Sequence, residues 1–215
     1  MNWTMATHLP VKLALIDLRG LNVKENSAAY KRLCECAERY AELYVSIPIS
    51  EIPGVQQARL FFRAIGIDPT KRRPSSEALL HRALKNKPLY SVNNLVDVGN
   101  WCSLDFLLPT CIYDADKIAG QVTIRLGRVG ESYLALNGRE IDFAGRFVLV
   151  NSFAPFGSPM IDSQRTAVSQ QTKNAILGIW APDSIDPREL QEQAELFGER
   201  AVQYCGGVQH DIKII

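Results

Sequence analysis

The sequence is poor in the residues that hold metal ions. It contains three histidines and five cysteines, and neither C-x-x-C nor H-x-x-x-H spacing occurs in its 215 residues. Zinc sites draw their ligands from such pairs, so we expect no metal site. An odd number of cysteines without a regular framework is also typical of proteins from a reducing compartment.

Glycine-rich signatures are missing as well. The 14 glycines form neither G-x-G-x-x-G nor the Walker pattern, which argues against the common nucleotide-binding loops. The motif G-x-S-x-G is absent, which argues against a hydrolase with a nucleophile elbow. We therefore expect no cofactor.

Neither sign of charge dominates, and long apolar runs are absent. The 24 Lys and Arg residues against 23 Asp and Glu give a formal charge of +1, so global charge does not indicate nucleic acid, although a local basic patch could still bind it. The early apolar run 13–16 ends at Asp17, too short for a signal peptide or a membrane span. We expect a cytoplasmic protein without a membrane partner.

Hydrophobic periodicity predicts mostly helices first and strands later. Helical spacing favours a helix after a cap at Asn26 or Ser27, then helices over 53–66, from Ser75 to before Pro88, and over 93–104. Strand patterns cover 12–18, 122–126, a hairpin at 134–141, 147–150 and 173–180. The pattern predicts an α+β fold, a mixed β-sheet packed with several α-helices. We expect a single domain over residues 1–215, in which residues 1–105 are rich in helices, residues 106–182 are rich in strands and residues 186–205 form a C-terminal helix.

Three polar residues share one face of the fourth predicted helix. Asn93, Asp97 and Asn100 stand at i, i+4 and i+7 inside an apolar run. An unmatched buried amide or carboxylate costs about 1–3 kcal/mol, so each needs a partner. Capping of neighbouring loops explains any one of them, whereas three on one face indicate a lined pocket.

The order of these residues resembles a known family. The run V-D-V-G-N-W-C-S-L-D-F-L-L-P-T-C-I-Y-D-A-D-K-I, followed by G-E-S-Y-L-A-L-N-G-R-E-I, is similar to the B3/B4 domain of the phenylalanyl-tRNA synthetase beta subunit. That family shows V-D-x-T-N-Y-V, G-Q-P-x-H-A-F-D, a D-K pair, a G-E turn and an L-D-G hairpin. The resemblance runs from about Pro74 to about Gly207 and implies a freestanding protein with a B3/B4-like fold.

In that family the domain hydrolyses the ester that joins a mischarged amino acid, typically tyrosine, to tRNA. Two family residues tied to tyrosine recognition are replaced here: the histidine of P-x-H-A-F-D aligns with Cys111, and a later glutamate aligns with Gly178. Recognition of a tyrosine hydroxyl therefore does not carry over. Thr172 matches a family threonine, for which a structural role is equally open.

A loop over 152–166 is long enough to suggest function. Its D-S-x-x-T run places Asp162, Ser163 and Thr166 close together, with Arg165 between them. Asp162 is a candidate to bind an ammonium group or to orient a water, and the two hydroxyls are candidates to bind an ester or a ribose. An Asx or ST turn that shapes the loop is at least as good an explanation for each residue.

A basic segment runs from Lys71 to Lys87. Arg72, Arg73 and Arg82 are its candidate phosphate contacts, and the family resemblance implies the acceptor end of tRNA as the partner. A solvated helix face explains such a cluster equally well.

Three functions remain in competition at this point. The favoured hypothesis is a tRNA-binding B3/B4-type domain that acts as a trans-editing aminoacyl-tRNA deacylase. The alternative is a non-catalytic module that binds RNA or an amino acid, favoured by the loss of the two family residues. The third is a hydrolase of a small amino acid derivative. Fold analogy by itself does not decide between them.

Overall fold

The computed structural model describes residues 2–6, 9–25 and 27–215, with the backbone only at Ser27. Asn26, one of the two predicted helix caps, lies outside the described residues. The helices are α1 (Ser27–Leu43), α2 (Pro53–Ala64), α3 (Ser75–Leu84), α4 (Asn94–Phe106) and α5 (Pro187–Cys205). The strands are β1 (Trp3–Met5), β2 (Val11–Arg19), β3 (Thr110–Asp114), β4 (Val122–Leu126), β5 (Ser132–Leu134), β6 (Glu140–Asp142), β7 (Phe147–Val150), β8 (Pro155–Gly157), β9 (Ala175–Pro182) and β10 (Val208–Ile214).

Within the described residues, the strands form two four-stranded sheets and one hairpin. The first sheet has the order β10-β2-β9-β3 with antiparallel pairs throughout. The second has the order β1-β4-β7-β8, in which β1 and β4 run parallel, so this sheet is mixed. Strands β5 and β6 pair as the hairpin. The predicted α+β class is confirmed.

The first sheet is covered on both faces, so β2 and β9 are buried along nearly their whole length, and β9 is apolar throughout. One face packs Ile16 and Leu177 against Phe197 of α5. The other face packs Leu13 and Trp180 into a cluster with α2 and the second sheet. A strand buried on both sides needs apolar residues at every position, not at alternate ones.

A capping side chain sets the residue at which α4 begins. Asn93 caps α4, because its side chain accepts a hydrogen bond from the Val96 amide at 2.9 Å. In contrast, Ser75 is the first residue of α3, and Pro74 stands at the cap position without a side-chain bond.

Strands β1, β3, β8 and β10 were not predicted. The segment interpreted as a loop, 152–166, contains β8 and a 3-10 turn at Gln164–Thr166. Strand β10 was missed although its sequence, V-Q-H-D-I-K-I, alternates between apolar and polar residues; His210 interrupts the apolar side, and the strand lies at an edge of the sheet. No helix among residues 2–6, 9–25 and 27–215 has the length and apolar character needed to cross a membrane.

Candidate functional site

A cavity of about 480 Å³ lies where α4, β3 and the loop after β8 meet. Its walls are mainly apolar, and its polar side chains are few. The lining residues are Val92, Val96, Gly99, Asn100, Thr110, Cys111, Ile112, Leu136, Asp162, Ala167 and Val168. A concave apolar site with a small number of polar groups is the usual form of a ligand pocket.

Asp162 is the carboxylate of this cavity. Its Oδ1 accepts a hydrogen bond from the Tyr113 hydroxyl at 2.6 Å. Burial in apolar surroundings raises the pKa of Asp162 to about 7, although the donated bonds from Tyr113 and from the Ser158 amide oppose this shift. A carboxyl group with this pKa exchanges protons near neutral pH.

Gly157 makes the approach of Tyr113 possible. A Cβ atom at residue 157 would lie 2.5 Å from the tyrosine hydroxyl oxygen, closer than any real contact. Glycine at this strand residue therefore leaves the space in which the Tyr113 ring reaches Asp162.

The loop that presents Asp162 is tied at several backbone atoms. The carbonyl of Ile161 accepts hydrogen bonds from the Tyr133 hydroxyl at 2.6 Å and from Ser158 Oγ at 2.8 Å. The Asp162 carbonyl accepts from the Leu136 amide at 3.0 Å. These bonds hold the carboxylate at a defined place on the cavity wall.

Asn100 contributes an amide to the same cavity. Its side chain is half-buried and makes no hydrogen bond with the described residues. Thr110, by contrast, donates its hydroxyl proton to the carbonyl of Gly99 at 3.2 Å. Asn100 therefore offers donors and an acceptor to a ligand in this cavity.

Asn93 and Asp97, predicted to line or support the pocket together with Asn100, do not belong to the cavity wall. The side chain of Asn93 caps α4, as described above. Asp97 accepts from Ser91 Oγ at 2.6 Å and from the Val92 amide at 2.9 Å. It thereby holds Val92, an exposed residue of the cavity rim, in place.

The hydroxyls of Ser163 and Thr166 point into the protein. Both residues are fully buried, and their oxygens lie 3.4 Å apart. Thr166 also donates to the Phe156 carbonyl at 3.3 Å, while Arg165 donates to the carbonyls of Ala154 and Pro155. None of the three lines the cavity, because each of these side chains serves the turn that follows Asp162.

Cys111 and Gly178, the two departures from the family pattern, are cross-strand partners on β3 and β9. Cys111 is buried and lines the cavity, and burial raises the pKa of its thiol far above the usual range. A buried protonated thiol is a poor nucleophile. Gly178 is buried behind Cys111 and does not belong to the cavity wall.

Thr172 belongs to a network that closes the far end of the loop. Its hydroxyl donates to Asp114 Oδ2 at 2.7 Å and accepts from the Ser169 amide at 2.9 Å. The Lys117 ammonium lies 3.2 Å from the same Asp114 oxygen and donates to the carbonyl of Ala167, a cavity residue. Thr172 therefore supports the cavity wall indirectly, through Asp114 and Lys117.

The basic segment is partly engaged in internal bonds. Arg73 lies 3.3 Å from buried Glu77, which Arg59 also holds through two hydrogen bonds. Arg82 donates to the Pro88 carbonyl and stacks 4.6 Å over the Tyr90 ring. Arg72 has a weaker contact, 3.9 Å to Met160 Sδ.

No cluster of three metal-ligating side chains occurs within residues 2–6, 9–25 and 27–215.

The site also contains residues that were not selected from the sequence. Tyr113, the partner of Asp162, stands two residues after Cys111 on β3, and both belong to one core cluster. The two-residue period of a strand was the signal that could have identified Tyr113. The apolar wall residues Leu136 and Val168 come from distant segments and carry no local signal.

Comparison with known proteins relates the chain to one family. A family model described as the B3/4 domain matches residues 57–208. The phenylalanine–tRNA ligase beta subunit of Bartonella henselae is 27% identical over 152 residues, which cover 59% of this chain and 19% of that subunit. The same subunit of Burkholderia pseudomallei is 33% identical over 129 residues, covering 56% of this chain and 16% of the subunit.

A solved structure supports the relation at the level of the fold. An N-terminal fragment of the phenylalanyl-tRNA synthetase beta subunit from Pyrococcus horikoshii matches with a TM-score of 0.55 and 12% identity. The match covers 98% of this chain and 49% of the fragment. The chain thus spans about a fifth or less of the curated subunits and about half of this fragment.

Proposed function

Because this chain belongs to the B3/4 domain family, we propose that it binds the aminoacylated 3′ end of a tRNA and hydrolyses the ester of a mischarged amino acid in trans. The observation that carries this proposal is the Asp162 carboxyl group. It combines a pKa of about 7 with a place on the wall of a 480 Å³ cavity. A general base works best when its pKa lies near the working pH.

Ester hydrolysis at this site needs one water and no other reactant. The water oxygen attacks the ester carbonyl carbon while Asp162 takes the water proton. The tetrahedral intermediate then collapses, the ribose oxygen leaves, and Asp162 returns the proton to it. The products are the free amino acid and the tRNA hydroxyl. Asn100 has an uncommitted amide in the cavity and is the proposed donor to the developing oxyanion.

Tyr113 has a positioning role in this mechanism. Its hydroxyl donates to Oδ1 of Asp162, which fixes the carboxylate and limits how far its pKa rises. Without this bond, burial would keep Asp162 protonated over more of the neutral range, and a protonated carboxyl group cannot act as a base.

The cavity walls favour an apolar side chain on the amino acid. Val96, Ile112 and Val168 supply aliphatic surface, and Cys111 and Gly178 stand at the family positions for hydroxyl recognition. A site without partners for a hydroxyl group gains nothing from tyrosine and leaves that group unpaired. We expect aliphatic amino acids to be better substrates than tyrosine.

The tRNA surface that we propose borders the cavity rim. Tyr90 is 69% exposed and stacked with Arg82, and Val92 of the rim is two residues away. An exposed aromatic ring can stack on an unpaired base of the 3′ end, and Lys85 and Lys87 add exposed positive charge nearby. Arg73 contributes less, since Glu77 already holds it.

Deacylation of a panel of correctly and incorrectly charged tRNAs tests the proposal. We expect wild type to accelerate hydrolysis of one mischarged species, and Asp162→Asn to lose that activity while it still binds uncharged tRNA. Asp183→Asn is the matched control, because Asp183 is exposed and pairs with Lys12. Turnover that survives Asp162→Asn would exclude Asp162 as the base.

The replacement of the two family residues favours a second candidate, a non-catalytic module that binds the aminoacyl end. It predicts tRNA binding without turnover for any species of the panel. The absence of both tRNA binding and turnover would refute both candidates. It would direct attention to small amino acid derivatives.

A further inference from the structure

A second cavity, of about 320 Å³, opens beside the loop that leads to Asp162. Its apolar surface comes from Ile65, Phe143 and Phe147, together with the partly buried Ile67 and Ile141. Ser158 to Ile161 form one wall, and the next residue along the chain lines the first cavity. The two cavities have no lining residue in common.

The rim of the second cavity is positively charged. Lys71, Arg72 and Arg146 line it, and Asp68 is its one carboxylate among the described lining residues. Asp68 accepts hydrogen bonds from both the hydroxyl and the amide of Thr70, which lower its pKa. The nearby Lys71 charge also lowers this pKa, so Asp68 offsets part of the Lys71 charge. Three cations against one carboxylate still leave the described rim with a surplus of positive charge.

The three cations are weakly engaged. The Lys71 side chain makes no hydrogen bond or ion pair with the residues that the structure describes. Arg146 donates to the carbonyl of Asp142 at 3.3 Å, and Arg72 touches Met160 Sδ at 3.9 Å. Weak contacts of this kind leave the guanidinium groups able to bind an anion bidentately.

We propose that this cavity binds a small amphipathic anion, namely a carboxylate carried on an apolar ring or branched chain. The apolar body would lie against Phe143 and Ile65, and the carboxylate would meet Lys71 and Arg146. This proposal does not rest on ester hydrolysis at Asp162. A nucleic acid phosphate fits the rim but leaves the apolar interior empty, so the combination of charge and depth favours the small ligand.

An amide-resolved NMR titration with 3-phenylpropionate, and with neutral 3-phenylpropan-1-ol as its matched ligand, tests the proposal. We expect the acid to shift the amides of Gly66 and Gly145, which line this cavity, and to leave the amide of Gly99 in the first cavity unchanged. The alcohol should bind at least about tenfold more weakly, because it lacks the charge that the rim recognises.

Charge variants locate the anion. Arg146→Gln and Lys71→Gln should each weaken binding of the acid roughly fivefold, whereas Arg139→Gln, an exposed arginine outside the cavity, should not. The proposal is overturned if the alcohol binds as well as the acid, if the shifts map to Gly99, or if no shift appears at about 10 mM acid. A short single-stranded RNA that shifts Gly66 and Gly145 when the acid does not would assign the surface to RNA instead.

Discussion

Cys111 and Gly178 face each other across β3 and β9, and the sulfur atom fills the space that a side chain at residue 178 would need. A Cβ atom added to Gly178 would lie 2.6 Å from Cys111 Sγ and 3.1 Å from Leu13 Cδ1. The two departures from the family pattern are thus one packing arrangement. A larger side chain at residue 178 requires a change at residue 111.

This contact predicts coupling between the two residues. Gly178→Ala should lower the free energy of unfolding by about 1–3 kcal/mol, because overpacking in a buried sheet forces neighbours to move. Adding Cys111→Ala removes the sulfur and should recover some of that loss, with a coupling of about 0.5–1.5 kcal/mol in a double-mutant cycle by urea unfolding. The pair Gly178→Ala and Cys34→Ala is the control and should be additive.

The raised pKa of Asp162 predicts that this residue destabilises the fold at high pH. Its folded pKa of about 7 lies above the ordinary value of 3.8, so the folded protein keeps a proton that the unfolded chain releases. The stability of wild type should therefore fall as pH rises from about 4 to 7. Asp162→Asn should unfold like wild type near pH 4 and be about 2–4 kcal/mol more stable at pH 8.

Thermal or urea unfolding at both pH values measures this difference. Asp183→Asn, at an exposed residue, should change stability by less than about 0.5 kcal/mol at either pH. An unchanged difference for Asp162→Asn between pH 4 and pH 8 would mean that the pKa of Asp162 is the same in the folded and the unfolded protein.

The bond from Tyr113 predicts a shift in the pH profile of the proposed deacylation. Tyr113→Phe removes a donor that lowers the pKa of Asp162, so the pKa should rise further. The midpoint of the pH–rate profile should move upward by about one unit. Tyr40→Phe, whose hydroxyl donates to the distant Asp105 carbonyl, should leave the midpoint in place. A uniform loss of rate without a shift would point to structural damage.

Glu77 predicts which of its two arginine partners is structural. It is fully buried and takes two hydrogen bonds from Arg59, at 2.7 and 2.8 Å. Glu77→Gln should cost about 2–4 kcal/mol in urea unfolding, because Arg59 loses its counter-charge in a mostly buried place. Arg73→Gln should cost less than about 1 kcal/mol, since Arg73 is 45% exposed. Equal costs would contradict this division.

The proposed tRNA surface predicts different salt dependences for two cations. Lys87→Gln should reduce the slope of log affinity against log salt by about 0.7, as expected when one phosphate contact to a single strand is lost. Arg73→Gln should change the slope little, because its charge is partly compensated by Glu77. Filter binding over a range of salt concentrations measures both, and a larger effect of Arg73→Gln would reverse the assignment.

Several elements could be predicted because their own residues carry the pattern. Strands 122–126 and 147–150 have the predicted bounds, and α5 (Pro187–Cys205), capped by Asp186, matches the helix predicted over 186–205. Strands β1 and β8 were not predicted, because three residues are too few to show the two-residue period of a strand. Their partners are distant in sequence or irregular in register, so their pairing depends on the assembled sheet.

The candidate site was also predicted only in part. Among the polar residues selected from the sequence, Asn100, Cys111 and Asp162 lie at the cavity. Asn93, Ser163 and Thr166 have similar chemistry, but a helix cap and a turn use their side chains. Polar residues in loops bond the nearest backbone groups first, and the sequence does not tell which of them remain uncommitted.

The sequence by itself determined the family, the α+β class and the candidate loop around Asp162, because motif spacing and hydrophobic period are local properties of the chain. Tertiary structure decided the rest. The pKa of Asp162, the approach of Tyr113 through the space left by Gly157, and the contact of Cys111 with Gly178 all join segments far apart in sequence. Burial and distance arise when those segments pack, and they determine which polar group can act as a base.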